Sequence, residues 1–300
     1  MSAAPGVSEE LRADVGEVEL AYQTIGDAAD PPFLLIMGLG AQMILWPDAF
    51  CELLAARGFF VVRYDNRDCG HSTVLEGAGA PSLQDALERG RDAAPYTLSD
   101  MAGDAVGLLD QLEIRAAHVV GASLGGMIAQ TLTIEHPDRV LSLASIMSTT
   151  GDTSVGDATA QAREVLMTRP PLDDRAAFVE SAAAARAVIG SRGLERDEEW
   201  VREVAGLSYD RGVHTEGTLR QLAAVVASGD RTESLRRLDT PTVVIHGSDD
   251  PLISVTGGKA TAAAVPGAEL VVIEGMGHDL PPPSWERIAE AIAANAARAA

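Results

Sequence analysis

The sequence predicts an α/β fold: a mostly parallel central sheet flanked by helices, with a block of helices inserted before the last strands. Three observations carry this reading. Short β-branched runs alternate with helical patterns through the first half of the chain. The alternation gives way, from about Ser148 to Thr240, to purely helical periodicity, and it resumes at Thr242. At 300 residues, 46% hydrophobic and 22% charged, the chain has the apolar surface for one large core with an insertion. The expected division is a core of residues 1–147 and 241–300 and a helical cap of residues 148–240. Such a cap lies over the carboxyl ends of the strands, where open α/β sheets bind ligands.

In chain order, Leu11 to Ala13 and Glu17 to Gln23 read as a strand pair joined near Gly16. Phe33 to Met37 reads as a fully buried strand ending at Gly38, and Phe59 to Tyr64 as another, with Trp46 to Arg57 crossing between them as a helix. Thr97 has Asp100 three residues on and apolar residues at Met101, Ala105, Leu108 and Leu109, the pattern of a capped amphipathic helix running to Gln111. Ala117 to Val120 is a short strand entering Gly121, followed by a helix from Gly126 to His136 closed by Pro137, and then a strand from Val140 to Ile146. The inserted block carries helical patterns around Thr159 to Met167, Arg175 to Val188, Glu195 to Val204 and Thr218 to Val226. After it come a strand from Thr242 to His246, a helix near Val255 to Val265, a strand from Glu269 to Ile273, and a last helix from Trp285 to the end.

Charge narrows the function classes. The formal charge of −21 repels phosphate backbones and anionic lipid, so neither nucleic acid nor membrane is an expected partner. Two cysteines, Cys51 and Cys69, are too few for a disulfide framework and are expected as thiols. Met1 to Glu10 has no basic region followed by an apolar run, and no uncharged stretch reaches the length of a membrane span. The expectation is a soluble cytoplasmic protein. Gly38-x-Gly40 lacks the third glycine and the acidic residue of a dinucleotide site, and no histidines pair at metal-ligand spacing, so no cofactor or metal is expected.

The sharpest motif is Gly121-Ala122-Ser123-Leu124-Gly125, between a strand and a helix. A serine on that turn takes a strained backbone conformation that small neighbours relieve, and its hydroxyl is held out at the top of the sheet. A serine hydroxyl becomes a useful nucleophile only when an imidazole takes its proton and a carboxylate fixes that imidazole. Downstream, Asp249-Asp250 follows the strand ending at His246, and His278 follows the strand ending at Ile273. Of the six histidines, His71, His118, His136, His214 and His246 lack that placement. Asp250, just before Pro251, is favoured as the acid, with Asp249 the alternative or a turn former. Acyl transfer also needs oxyanion donors, for which the backbone amides of Leu39 and Leu124 are placed after the early buried strand and after the serine.

Together with Leu35-Ile36-Met37-Gly38, Arg63 to Ser72, His246 to Pro251 and Gly275 to Pro281, these motifs make the chain resemble the α/β-hydrolase superfamily, and within it the aclacinomycin methylesterase-like esterases. The resemblance covers nearly everything outside the cap. It implies Ser123 as nucleophile, Asp250 as acid, His278 as base, and Leu39 and Leu124 as oxyanion donors. Most of the superfamily has His-Gly where this chain has Met37-Gly38, and glycine where it has Asp68; both variants resemble the methylesterase-like branch. The segment from Asp65 to Ser72 is expected to be a structural turn tied by Asp65 and Arg67, and Asp173 to Arg175 and Glu195 to Glu199 to be solvated helix faces.

Apolar residues flank these motifs: Met37, Leu39, Met43, Trp46, Leu124, Met127, Met147 and Met276. Methionines fill core gaps as readily as they line adaptable pockets, and where they do line the site the substrate carries an uncharged hydrophobic portion. The expected activity is hydrolysis of hydrophobic small-molecule esters, with polyketide methyl esters or macrolactones implied by the resemblance. The alternatives are a C–C, acyl or haloperoxidase-like enzyme on the same triad, and a hydrolase-fold receptor that binds a small molecule without turning it over.

Overall fold

The computed structural model describes residues 6–299 apart from 80, 82–84, 86 and 87. Residues 1–5, on which part of the reading of the N-terminus rests, lie outside the described residues. Eight strands form one sheet: β1 (Leu11–Asp14), β2 (Glu19–Ile25), β3 (Pro32–Ile36), β4 (Phe60–Tyr64), β5 (Ala117–Ala122), β6 (Val140–Ile146), β7 (Thr242–Gly247) and β8 (Glu269–Ile273). Their order is β1-β2-β4-β3-β5-β6-β7-β8. Only β1 with β2 and β2 with β4 pair antiparallel; from β4 to β8 all pairings are parallel.

The helices that concern the site and its supports are α1 (Asp48–Ala55), α2 (Leu98–Gln111), α3 (Leu124–Glu135), α4 (Ala160–Met167), α5 (Arg175–Ile189), α6 (Glu198–Asp210), α7 (Thr215–Ser228), α8 (Thr232–Leu235), α9 (Val255–Ala264) and α10 (Trp285–Ala297). Helices α4 to α8 lie in the insert between β6 and β7. Among the described residues, no helix is long and apolar enough to cross a membrane.

Strand alternation sends neighbouring residues to opposite faces. Leu34 and Ile36 join Val62, Val119 and Leu143 in packing against Leu98, Met101, Leu108 and Leu109 of α2 and Ile128 and Leu132 of α3. Phe33 and Leu35 join Val61, Val120, Ile146, Val243 and Ile245 against Phe50 and Leu54 of α1 and Ile288 and Ile292 of α10. The central strands are therefore covered on both sides, as their unbroken apolar runs require.

Several element ends differ from the sequence expectation for local reasons. The crossover helix expected from Trp46 starts at Asp48, with Pro47 at its N-cap, and a 3₁₀ turn over Met43–Leu45 precedes it. Helix α3 starts at Leu124 rather than Gly126, because Ser123 itself is the turn. Asp174 and Asp197 are N-caps, accepting hydrogen bonds from the first amides of α5 and α6, so they set where those helices begin. Thr97 and Asp100 form the expected capping box at α2. Cys51 and Cys69 are both buried free thiols.

The segment after β4 is a structural turn, and it anchors the insert. Asp65 accepts the amides of Met43 at 2.7 Å and His71 at 3.0 Å, while Arg67 grips Asp104 through two 2.6 Å bonds. Arg211, just past α6, pairs with the buried Asp65, with Glu10 and with Gln42. Arg220 of α7 pairs with Asp68, whose carboxylate also accepts the Tyr96 hydroxyl and the Leu75 amide. Asp68 has φ +65°, a left-handed conformation that is unusual for a residue other than glycine.

Candidate active site

Ser123 lies between β5 and α3 with φ +57° and ψ −119°. The tight turn is tolerated because the residues two before and two after the serine, Gly121 and Gly125, have no side chains to collide. A Cβ on Gly121 would stand 2.1 Å from the Gly125 carbonyl oxygen, and one on Gly125 would stand 2.0 Å from that of Ile36. Behind the turn, the Ser148 hydroxyl donates to the Ser123 carbonyl at 2.8 Å. The serine side chain is thereby aimed away from the sheet, over the carboxyl ends of β3 and β5.

Two strand-end loops bring the other polar groups to it. After β7, Asp250 Oδ1 accepts the amides of Leu252 and Ile253, each at 2.9 Å, which fixes the carboxylate plane. After β8, His278 donates from Nδ1 to Asp250 Oδ2 at 2.8 Å. This tautomer leaves Nε2 with its lone pair facing Ser123 Oγ at 3.0 Å. Asp250 and His278 are buried. Burial works to raise the Asp250 pKa, but the charge of His278, hydrogen bonds from His246 and His278, and the Ile253 amide outweigh it and hold the carboxyl well below its ordinary range. Asp249 is exposed and bonded by the Ser248 hydroxyl at 2.8 Å, a turn position rather than a partner of the imidazole.

The loop after β3 packs on the serine: a Cβ on Gly38 would lie 3.1 Å from Ser123 Cβ. Neither the Leu39 amide, next to Gly38, nor the Leu124 amide, next to Ser123, has an acceptor among the described residues, so both N–H donors are uncommitted. The next amide along, Gly40, donates to Gln221 Oε1 of α7 at 2.8 Å, and Gln221 in turn donates to the Arg67 carbonyl at 2.8 Å. Such a set of groups can take a proton from a hydroxyl as it attacks a carbonyl and stabilise the oxygen anion that results.

The apolar residues expected at the pocket divide. Met37, Leu39, Met127 and Met147 keep some accessible surface, whereas Met43, Trp46 and Met276 are wholly buried. Trp46 stacks on Phe50, with ring centroids 5.9 Å apart, inside the α1 layer. Leu124 is buried at the start of α3.

Sequence reasoning passed over His246, Gln221 and Ser191. His246 is fully buried at the end of β7, its Nε2 donating to the Ile253 carbonyl at 2.8 Å and lying 3.5 Å from Asp250 Oδ2. Its place four residues before Asp250, in the same strand-end motif, was the available signal. Gln221 and Ser191 come from the insert, where helical periodicity says nothing about which residues face the sheet.

Comparison with known proteins places the fold. Residues 31–282 match the family model of the alpha/beta hydrolase fold. The chain is 32% identical over 299 aligned residues to rhodomycin D methylesterase DauP of Streptomyces sp. (strain C5), covering 93% of this chain and 95% of that protein. It is 27% identical to 3-oxoadipate enol-lactonase 2 of Acinetobacter baylyi, covering 86% of each. The solved structure of a thermophilic esterase from Thermogutta terrifontis superposes with a TM-score of 0.70 at 23% identity, covering 97% of this chain and 99% of that one. The resemblance read from the motifs therefore holds, and the chain belongs to the α/β-hydrolase fold family.

Proposed function

We propose that this hydrolase is a carboxylic ester hydrolase that works through an acyl-enzyme on Ser123. The observation that carries the reading is the unbroken line from Asp250 Oδ2 to His278 Nδ1 at 2.8 Å and from His278 Nε2 to Ser123 Oγ at 3.0 Å. Asp250 holds the imidazole in the tautomer that accepts a proton. His278 takes the Ser123 proton as the oxygen attacks the ester carbonyl, and the amides of Leu39 and Leu124 receive the developing oxyanion. His278 then returns the proton to the departing alcohol. Water, deprotonated by the same imidazole, attacks the acyl-enzyme and releases the acid.

The substrate we propose is a hydrophobic, uncharged small-molecule ester of the polyketide methyl ester or macrolactone class. Two relatives support an ester bond as the target, one a methylesterase and one an enol-lactonase. Met37, Leu39, Met127 and Met147, with residues of the insert 148–240 acting as a cap, would supply the apolar lining, and the net charge of −21 disfavours anionic esters. The two buried thiols accord with a cytoplasmic setting.

The test is hydrolysis of p-nitrophenyl esters of graded acyl length by the wild type and by Ser123→Ala, with a methyl-esterified polyketide in parallel. Turnover that disappears in the variant supports a serine esterase, and the preferred chain length sizes the acyl pocket. A Ser123→Ala protein that keeps a tenth of wild-type turnover overturns the proposal.

A further inference from the structure

The loop that carries His278 is bonded to the helical insert at three consecutive residues. The Gly277 amide donates to Ser191 Oγ at 2.9 Å, and the His278 amide donates to the Ile189 carbonyl at 2.8 Å. The Asp279 carboxylate accepts the Ser191 amide at 3.0 Å and the Ser191 hydroxyl at 2.5 Å. Two residues earlier, the Gly275 carbonyl accepts the Gly193 amide at 3.2 Å. Ser191 is 2% exposed, and its hydroxyl proton is committed to Asp279 while its oxygen accepts Gly277.

Between these bonds the two segments meet backbone to backbone. A Cβ on Gly277 would stand 2.4 Å from the Gly190 carbonyl carbon, one on Gly193 would stand 2.7 Å from Gly275 Cα, and one on Gly190 would stand 2.6 Å from Asp279 Oδ2. Four positions without side chains are what allow the insert to reach the main chain on both sides of the histidine. The core holds the same loop just before the histidine, where the Gly275 amide donates to Ser248 Oγ at 2.8 Å and the Met276 carbonyl accepts the Asp249 amide at 3.1 Å, so the bonds of the insert act on the next three residues, Gly277 to Asp279.

We propose that Ser191 and Asp279 are positioning residues for the general base, so that the insert sets the place of His278 and the imidazole is aligned on Ser123 only while the segment Ile189–Gly193 is seated. This rests on the Ser–His–Asp reading above. The physical lever is distance: the His278 to Ser123 bond is 3.0 Å long, and a misplacement of about 1 Å in a reacting pair costs about a hundredfold in rate. Removing the Ser191 hydroxyl frees Gly277 and loosens Asp279 at once, the residues on either side of the base. Substrate contacts that seat the insert then also seat the base, coupling recognition on the insert to chemistry at the sheet.

The experiment compares wild type, Ser191→Ala, Asp279→Asn and Ser123→Ala on one p-nitrophenyl ester that the wild type hydrolyses. It records kcat, KM, the melting temperature and the far-downfield proton resonance of the His278–Asp250 hydrogen bond. The expected result is a kcat roughly tenfold to hundredfold lower in Ser191→Ala and Asp279→Asn, with KM within about threefold and the downfield proton shifted or broadened. A folded variant with kcat within about twofold of wild type and an unchanged resonance overturns the proposal, and so does a lowered melting temperature with kcat intact, which marks a structural tie alone. Should Ser191→Ala fail to fold, Asp279→Asn, which keeps the side-chain shape, decides by the same criteria. Failure of the triad reading looks different, because it leaves Ser123→Ala active.

Discussion

The guanidinium of Arg220 holds the carboxylate of Asp68 through two bonds of 2.7 and 2.8 Å, joining helix α7 of the insert to the turn after β4 with both side chains out of contact with solvent. Burial works against the ionised Asp68, yet the Arg220 bond, the Leu75 amide and the Tyr96 hydroxyl overcome it and lower its pKa. Replacing Asp68 by glycine would relieve the left-handed backbone by about 1 kcal/mol. It would also take the two-bond carboxylate partner from a buried guanidinium, leaving it the Gly79 carbonyl at 2.8 Å and Glu216 at 3.9 Å, at a cost of about 3 to 5 kcal/mol. The expected outcome is a net loss of about 2 to 4 kcal/mol, read as a lower urea midpoint at unchanged slope. Adding Arg220→Met to Asp68→Gly should restore part of the loss, since the stranded charge goes with it. A midpoint for Asp68→Gly equal to wild type would show that the pair contributes nothing to holding the insert.

Asp250→Asn tests the orientation of the imidazole. An amide that offers its N–H to His278 Nδ1 favours the tautomer with the proton on Nε2, which cannot accept one from Ser123. The fold should persist, because Oδ1 can still accept the Leu252 and Ile253 amides. Turnover is expected to fall by about ten-thousandfold, while Asp249→Asn, at the exposed turn position, should change it by less than about twofold. Equal losses in the two variants would contradict the geometry.

Asp250 also ties stability to pH. Its native pKa is lowered, chiefly by the His278 charge and the histidine hydrogen bonds prevailing over burial, while the unfolded chain has the ordinary aspartate value of about 3.9. A carboxyl depressed on folding contributes stability that is full above the unfolded value and is lost as pH falls through it toward the native one. Wild type should therefore lose stability more steeply than Asp250→Asn between about pH 5 and pH 2, measured as urea midpoints along that range. Parallel curves would show that the carboxylate adds nothing on the acid side.

The core was legible because its signals are local. The period-two strands, the Thr97–Asp100 capping box and the strand-to-helix serine each lie within a few consecutive residues, and their physics needs no distant partner. Ser123, Asp250 and His278 could be named because each follows a strand end that the same alternation reveals. What was not legible is the contact made by the insert. Ser191 sits in an ordinary stretch after α5, and only the approach of four glycines from two distant segments gives it a role. His246 lacks the loop placement expected of the base, and its spacing of four residues from Asp250 does not by itself show that the ring turns toward the carboxylate. Met43, Trp46 and Met276 flank the motifs in sequence but face the core, because adjacency along a loop does not set side-chain direction.

Gly38→Ala tests whether the loop after β3 serves the nucleophile. Gly38 is not in the left-handed region, so alanine meets no backbone penalty there, and the neighbour in its way is the Ser123 side chain, with Cβ at 3.1 Å and Oγ at 3.6 Å. Relief of that contact needs a shift of a few tenths of an ångström in either the serine or the loop that carries the Leu39 amide. Both movements would slow the proposed reaction, one by lengthening the bond to His278 and the other by drawing away the Leu39 amide, the proposed oxyanion donor. The expected outcome is kcat/KM lowered by about tenfold to a hundredfold, with the fall in kcat rather than in KM and the urea midpoint close to wild type. Gly58→Ala, at an exposed turn where a Cβ meets nothing within 4 Å, controls for a general effect of removing a glycine. With φ +82° it should lower stability but leave kcat/KM of the folded protein within about twofold. Wild-type kcat/KM in Gly38→Ala would mean that the loop yields without moving Ser123 or the Leu39 amide, and the close fit of the loop on the serine would then play no part in the reaction.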